Sequence, residues 1–174
     1  MARCKPITEE QEPTIMSALL ARPLRDQVLV IMGLNTGFRI TELLSLNVDQ
    51  VYQAGVVRPS VHVTRAKLKG GRSRQRRSVT SRVVPLNAAA TAILKKYFLA
   101  RFGSGEPASN EPLFPSRKHG LRISRWGAND IVHAVLRAAG FDDQDGYLRQ
   151  TLDSLRSARK PTSSEGRRRR NNVH

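Results

Sequence analysis

A chain of 174 residues is long enough to bury one hydrophobic core, and its charge sets it apart: 30 Lys and Arg face 14 Asp and Glu, a formal net of +16. Such an excess points to a polyanionic partner, above all nucleic acid. One cysteine, Cys4, excludes an internal disulfide framework and a cysteine-based zinc site, and His62, His119, His133 and His174 show no metal-ligand spacing. No apolar run approaches the ~20 residues of a membrane-spanning helix and no charged-then-apolar signal segment opens the chain, so a cytoplasmic protein without a metal or a membrane partner is expected.

Thr8-Glu9-Glu10-Gln11 offers an N-cap threonine with glutamine at the capping-box position, predicting a helix to about Leu20 that is irregular at Pro13. Pro23 marks the next start, and Leu24 to Leu34 read as a largely buried helix. Its apolar run ends at Gly37, which permits a tight, positive-φ turn. A short amphipathic segment (Ile40, Leu43, Leu44, Leu46) begins at once. Arg39 stands at the mouth of that segment, beside helix N-terminal amides that favour anions. Glu42, three residues on and on the same face, is able to hold the guanidinium in one orientation. An arginine pinned in this way suits bidentate recognition of a phosphate; the same two residues also make an ordinary surface ion pair.

Past Leu46 the pattern changes from helix to strand. Val61-His62-Val63-Thr64-Arg65 alternates as a half-buried strand does, and Arg82-Val83-Val84-Pro85-Leu86 reads as its return, with Pro85 tolerable at a strand end. Between Arg58 and Arg82 lie nine basic residues and no acid: Arg58, Arg65, Lys67, Lys69, Arg72, Arg74, Arg76, Arg77 and Arg82. Like charges at that density repel one another, which favours an anionic partner over a merely solvated loop.

Asn87 caps a helix whose stripe is Ala90, Ile93, Leu94, Tyr97 and Phe98, placing Tyr97 in the core. A Gly/Ser/Pro loop follows (103–112), then Leu113-Phe114-Pro115-Ser116, then a helix capped by Ser124 with the stripe Ile131, Val132, Val135 and Leu136, ending at Gly140. His133, beside that stripe, is expected to be a packed or surface residue.

Thr36-Gly37-Phe38-Arg39-Ile40-Thr41-Glu42-Leu43-Leu44-Ser45-Leu46 resembles the first-arginine motif of the tyrosine recombinase (phage integrase) family, Thr-Gly-Leu-Arg-Ile-Ser-Glu-Leu-Leu-x-Leu. The lysine-glycine turn at Lys69-Gly70 ending in Val84-Pro85-Leu86, the Leu-Phe-Pro-Ser segment and the Ser124 helix resemble later parts of the same domain, in the correct order. The resemblance implies an α+β, mostly α fold: an integrase-type catalytic domain with a small antiparallel hairpin. It also implies transesterification on double-stranded DNA, without metal or nucleotide cofactor. A tyrosine attacks the scissile phosphate, two arginines hold its non-bridging oxygens, and a hairpin lysine protonates the leaving 5′-oxygen. By this resemblance Arg39 and Arg156 take the arginine roles and Lys69, with Lys67 close behind, the lysine role. Arg65, Lys67, Arg72, Arg74, Arg76 and Arg77 become DNA-binding residues, and other recombinase subunits become possible partners.

The resemblance departs from the family pattern near its end. Thr151-Leu152-Asp153-Ser154-Leu155-Arg156 stands where Thr-His-Ser-Leu-Arg is usual, so an anion replaces a titratable donor beside a phosphate site. Tyr52, Tyr97 and Tyr147 all precede Arg156, whereas the family's nucleophile follows it; residues 157–174 are rich in Ser and Arg and carry no helical period. Residues 1–156 therefore read as an incomplete catalytic domain and 157–174 as a basic, disordered tail. Binding to DNA without strand cleavage is the expected behaviour, and a non-catalytic DNA-binding module is the alternative. Without the family's last helices, the apolar faces of the second helix and the Ser124 helix are expected to lack cover.

Overall fold

The computed structural model describes residues 8, 10–64, 81–108, 110–117 and 120–141. They contain five α-helices and two small antiparallel strand pairs, in the order α1 (Glu12–Leu20), α2 (Leu24–Thr36), α3 (Ile40–Leu44), a 3-10 turn (Val48–Gln50), β1 (Tyr52–Gln53), β2 (Val56–Val57), β3 (Ser60–Thr64), β4 (Ser81–Pro85), α4 (Ala88–Phe102) and α5 (Arg125–Ala138). This is the α+β, mostly helical class expected.

Helix α2 is the central element. Its residues Val28 to Met32 are consecutively buried, which a helix shows only when neighbours surround it. α4 packs along it, and α5 packs on α1, α2 and α3. Val28 to Met32 of α2 and the Ile131, Val132, Val135 and Leu136 stripe of α5 are buried, and Leu24 and Leu34 are partly buried against the same core, so the expectation of uncovered faces is corrected. The α1–α2 junction is closed by buried Gln27, whose Nε2 donates to the carbonyls of Leu20 (3.2 Å) and Arg22 (2.7 Å). These are carbonyls that a helix end otherwise leaves without partners. α1 itself starts at Glu12, four residues later than Thr8. The N-cap is Gln11 rather than the expected Thr8; of the expected box only the bond from the Thr8 N–H to the Gln11 side chain (3.0 Å) is present, and it closes a turn ahead of the helix.

β3 and β4 pair with Val61 opposite Val84, His62 opposite Val83 and Val63 opposite Arg82. Opposed residues share a face, and Val61, Val63 and Val84 are buried while His62 and Val83 are exposed. Arg82 therefore lies on the inward face. Pro85 ends the strand, where its missing N–H does no harm. A second hairpin, not anticipated from the sequence, joins β1 to β2 through Ala54 (φ 49°) and Gly55 (φ 76°). Two positive-φ residues in succession make the primed turn that a two-residue hairpin needs.

α4 begins as expected, with the Asn87 side chain accepting from the Ala90 N–H (2.9 Å). Tyr97 is buried, and its hydroxyl donates to the Leu113 carbonyl (3.0 Å) while accepting from Arg101 Nη1 (2.9 Å). Burial raises the phenol above its ordinary 10.0, against the opposing pull of the Arg101 cation. An acid raised in the folded state contributes stability in full below its unfolded pKa, and that contribution disappears as pH climbs through the folded value. Tyr97→Phe is expected to cost about 1 kcal/mol near neutrality. The variant should also lose stability less steeply than the parent above about pH 10, which urea titrations across pH 8–11 measure; identical slopes would contradict this assignment.

Candidate functional site

The corner between α2 and α3 is built residue by residue from Thr36 to Glu42. Thr36 Oγ1 donates to the Met32 carbonyl (2.7 Å) and accepts from the Phe38 N–H (3.3 Å), closing the last turn of α2. Gly37 follows with φ 62°, ψ 24°, a left-handed conformation in which a Cβ is unfavourable. The reversal drives Phe38 into the core with no solvent exposure and sends Arg39 outward. Ile40, Leu43 and Leu44 anchor α3, and the Arg122 guanidinium donates to the Leu44 (3.1 Å) and Leu46 (2.8 Å) carbonyls at its far end.

Glu42 is fully buried, and its carboxylate organises the corner. Oε1 accepts from Arg39 Nη1 (2.9 Å) and Oε2 accepts from the Arg39 backbone N–H (2.9 Å). Arg82 Nη1 lies 3.8 Å from Oε2, and it also reaches the Gly37 carbonyl at 3.5 Å, with its guanidinium 5.6 Å from the centre of the Phe38 ring. Two guanidiniums on one carboxylate leave a net positive charge. Arg39, with 45% of its side chain exposed against 33% for Arg82, is the better placed to offer that charge to a ligand.

The pinning of Arg39 by Glu42 is as the spacing suggested, but the source of anion affinity is different. α3 has five residues, and Glu42 itself occupies the Arg39 N–H at its mouth. The guanidinium is the full charge that this corner offers to an anion. Arg82 was legible only as one of nine basic residues; its alternation with buried Val84 was the available signal that it points inward. Lys67, Lys69, Arg65, Arg72, Arg74, Arg76, Arg77 and Arg156 lie outside the described residues, as do Tyr147 and Asp153. Among the described residues, no group of three or more His, Cys, Asp or Glu is placed to hold a metal ion, and no helix is long and apolar enough to cross a membrane.

A mostly helical α+β domain with a carboxylate-held arginine at the α2–α3 corner has the architecture of an integrase-type domain. Residues 5–158 match the phage integrase family, and the chain belongs to that family. Its fold is similar to the XerA recombinase structure (TM-score 0.63, 18% identity, 90% of this chain and 48% of that one). It is likewise similar to the XerH site-specific recombinase bound to a palindromic difH substrate in a post-cleavage complex (0.58, 17%, 88% and 41%). The Tn1549 transposon integrase in complex with circular intermediate DNA is a third such structure (0.59, 15%, 91% and 52%). At these identities the likeness is one of fold, and the chain spans about half the length of the structures it matches. A search of curated proteins finds no match.

Removing the Glu42 carboxylate should strand the Arg39 N–H and two cations. Glu42→Ala is expected to destabilise the domain by about 2–3 kcal/mol, less than a wholly buried ion pair because both arginines reach solvent. Glu42→Gln, which keeps an acceptor, should lose less. Urea unfolding of the two variants checks this; a Glu42→Ala protein as stable as the parent would mean that the carboxylate does not organise the corner.

Proposed function

We propose that these 174 residues are a DNA-binding portion of a tyrosine recombinase catalytic domain, with Arg39 as the first phosphate-holding arginine. The observation that carries the reading is the Arg39 guanidinium, oriented by a fully buried carboxylate yet 45% exposed, in a chain of the phage integrase family. A guanidinium whose orientation is set before binding loses little freedom on meeting a phosphate, and its fork matches two non-bridging oxygens. In this reading Lys69, or its neighbour Lys67, is the general acid and Arg156 the second arginine, both carried by motif resemblance alone. The basic residues from Arg65 to Arg77 track the duplex backbone, and further recombinase subunits complete the assembly on cytoplasmic DNA.

Binding of duplex DNA by fluorescence anisotropy tests this. With ~4 to 6 phosphate contacts from the hairpin, log Kd against log salt should have a slope of magnitude about 4–5. Arg39→Ala should weaken binding by roughly 1.5–3 kcal/mol with the fold intact. Salt-independent binding would overturn the nucleic-acid reading. An Arg39→Ala protein that unfolds, beside an Arg39→Lys protein that binds normally, would make the pair purely structural.

One observation favours a second reading, binding without chemistry: Asp153 stands at the family's histidine position. A nicked suicide duplex incubated with this polypeptide is expected to give no adduct stable to denaturant. An adduct that disappears in Tyr147→Phe would show that the nucleophile is present after all.

A further inference from the structure

The basic hairpin and the Arg39 corner are distant in sequence, and Arg82 is where they meet. It opens β4 beside Ser81, on the same inward face as buried Val84 and with 33% of its side chain exposed, and a partly buried guanidinium gains from a counter-charge. That charge is Glu42, 3.8 Å away. The two carboxylate oxygens are divided: Oε1 holds the Arg39 side chain, whereas Oε2 holds the Arg39 N–H and faces Arg82.

We propose that Arg82 is a positioning residue, acting through the Glu42 carboxylate to fix the Arg39 guanidinium and to couple the β3–β4 hairpin to the anion site. This rests on the reading of Arg39 as a phosphate-binding arginine. Two physical effects follow from the division of oxygens. Attraction on Oε2 opposes rotation of the carboxylate, so Oε1 stays aimed at Arg39. Sharing of the negative charge also leaves Arg39 less neutralised than in a one-to-one pair, preserving its attraction for a second anion. Contact with the Gly37 carbonyl and stacking near Phe38 hold Arg82 against the turn that sets the direction of Arg39. A ligand that displaces the hairpin should therefore be felt at Arg39, and the reverse.

The test is a double-variant cycle in duplex-DNA affinity with a side-chain readout in the free protein. Arg82→Ala is expected to weaken binding about tenfold when Arg39 is present and less than about twofold when Arg39 is already alanine, the non-additivity of residues acting as a unit. Arg82→Lys should recover most of the loss. In the free protein, the Nε–H resonance of Arg39, assigned by its loss in Arg39→Lys, should move toward the position of free arginine in Arg82→Ala. A tenfold loss that persists in the Arg39→Ala background would mean that Arg82 contacts DNA itself and would overturn the proposal, as would an unmoved Arg39 resonance. If the parent protein binds no DNA, the proposed function fails, yet the resonance still decides whether Arg82 positions Arg39. Should Arg82→Ala not fold, Arg82→Gln, which keeps a donor for Gly37 without the charge, is carried through the same cycle with the same deciding outcomes.

Discussion

A carboxylate shut away from solvent needs counter-charge and hydrogen-bond donors, and at the α2–α3 corner that constraint falls on Glu42. It binds Arg39 twice, through side chain and backbone, and draws Arg82 from a strand on the other side of the chain's basic segment. The exposed guanidinium of Arg39 is thus the visible end of a buried device. Without it, a five-residue helix has little of its own to keep an arginine in one orientation, since isolated helices of that length are unstable.

The surrounding fold serves to hold that device still. α2 is encased along Val28 to Met32 and ends in a left-handed glycine that no ordinary side chain matches easily. Phe38 fills the core immediately beyond it. At the far end of α3, Arg122 donates to the Leu44 and Leu46 carbonyls, the second of which also accepts from the Leu113 N–H. Asn87 Nδ2, at the start of α4, donates to Asn35 Oδ1 (2.7 Å) beside the corner. Each link joins the corner to a different element, so its geometry is over-determined. Such rigidity is what a site needs if it is to meet a phosphate without reorganising.

How much of this was readable beforehand follows from which interactions are local. The Gly37 turn, the Arg39–Glu42 pair, the Asn87 and Ser124 caps and the buried stripes of α4 and α5 all arise within a few residues, and spacing alone indicated them. Arg82 was different: its partner is 40 positions earlier, and only the strand register decides that it faces inward. The β1–β2 hairpin escaped notice because Ala54-Gly55 is a weak turn signal beside the Asn-Gly or Asp-Gly that usually marks such turns. Of the helix-mouth amides invoked for anion binding, the Arg39 N–H is filled from within, because Glu42 reaches back to it. Lys69, Arg156 and the basic hairpin rest on pattern and family membership.

The central claim is that Arg39 meets a DNA phosphate while Glu42 holds it from behind. Modification by an arginine-selective dicarbonyl reagent, read residue by residue by mass spectrometry with and without duplex DNA, tests it most directly. The account predicts that Arg39 reacts in the free protein, is protected by saturating duplex and regains reactivity when salt releases the DNA. Arg39 equally reactive at saturating DNA, with arginines of the Arg65–Arg77 segment protected, would contradict it.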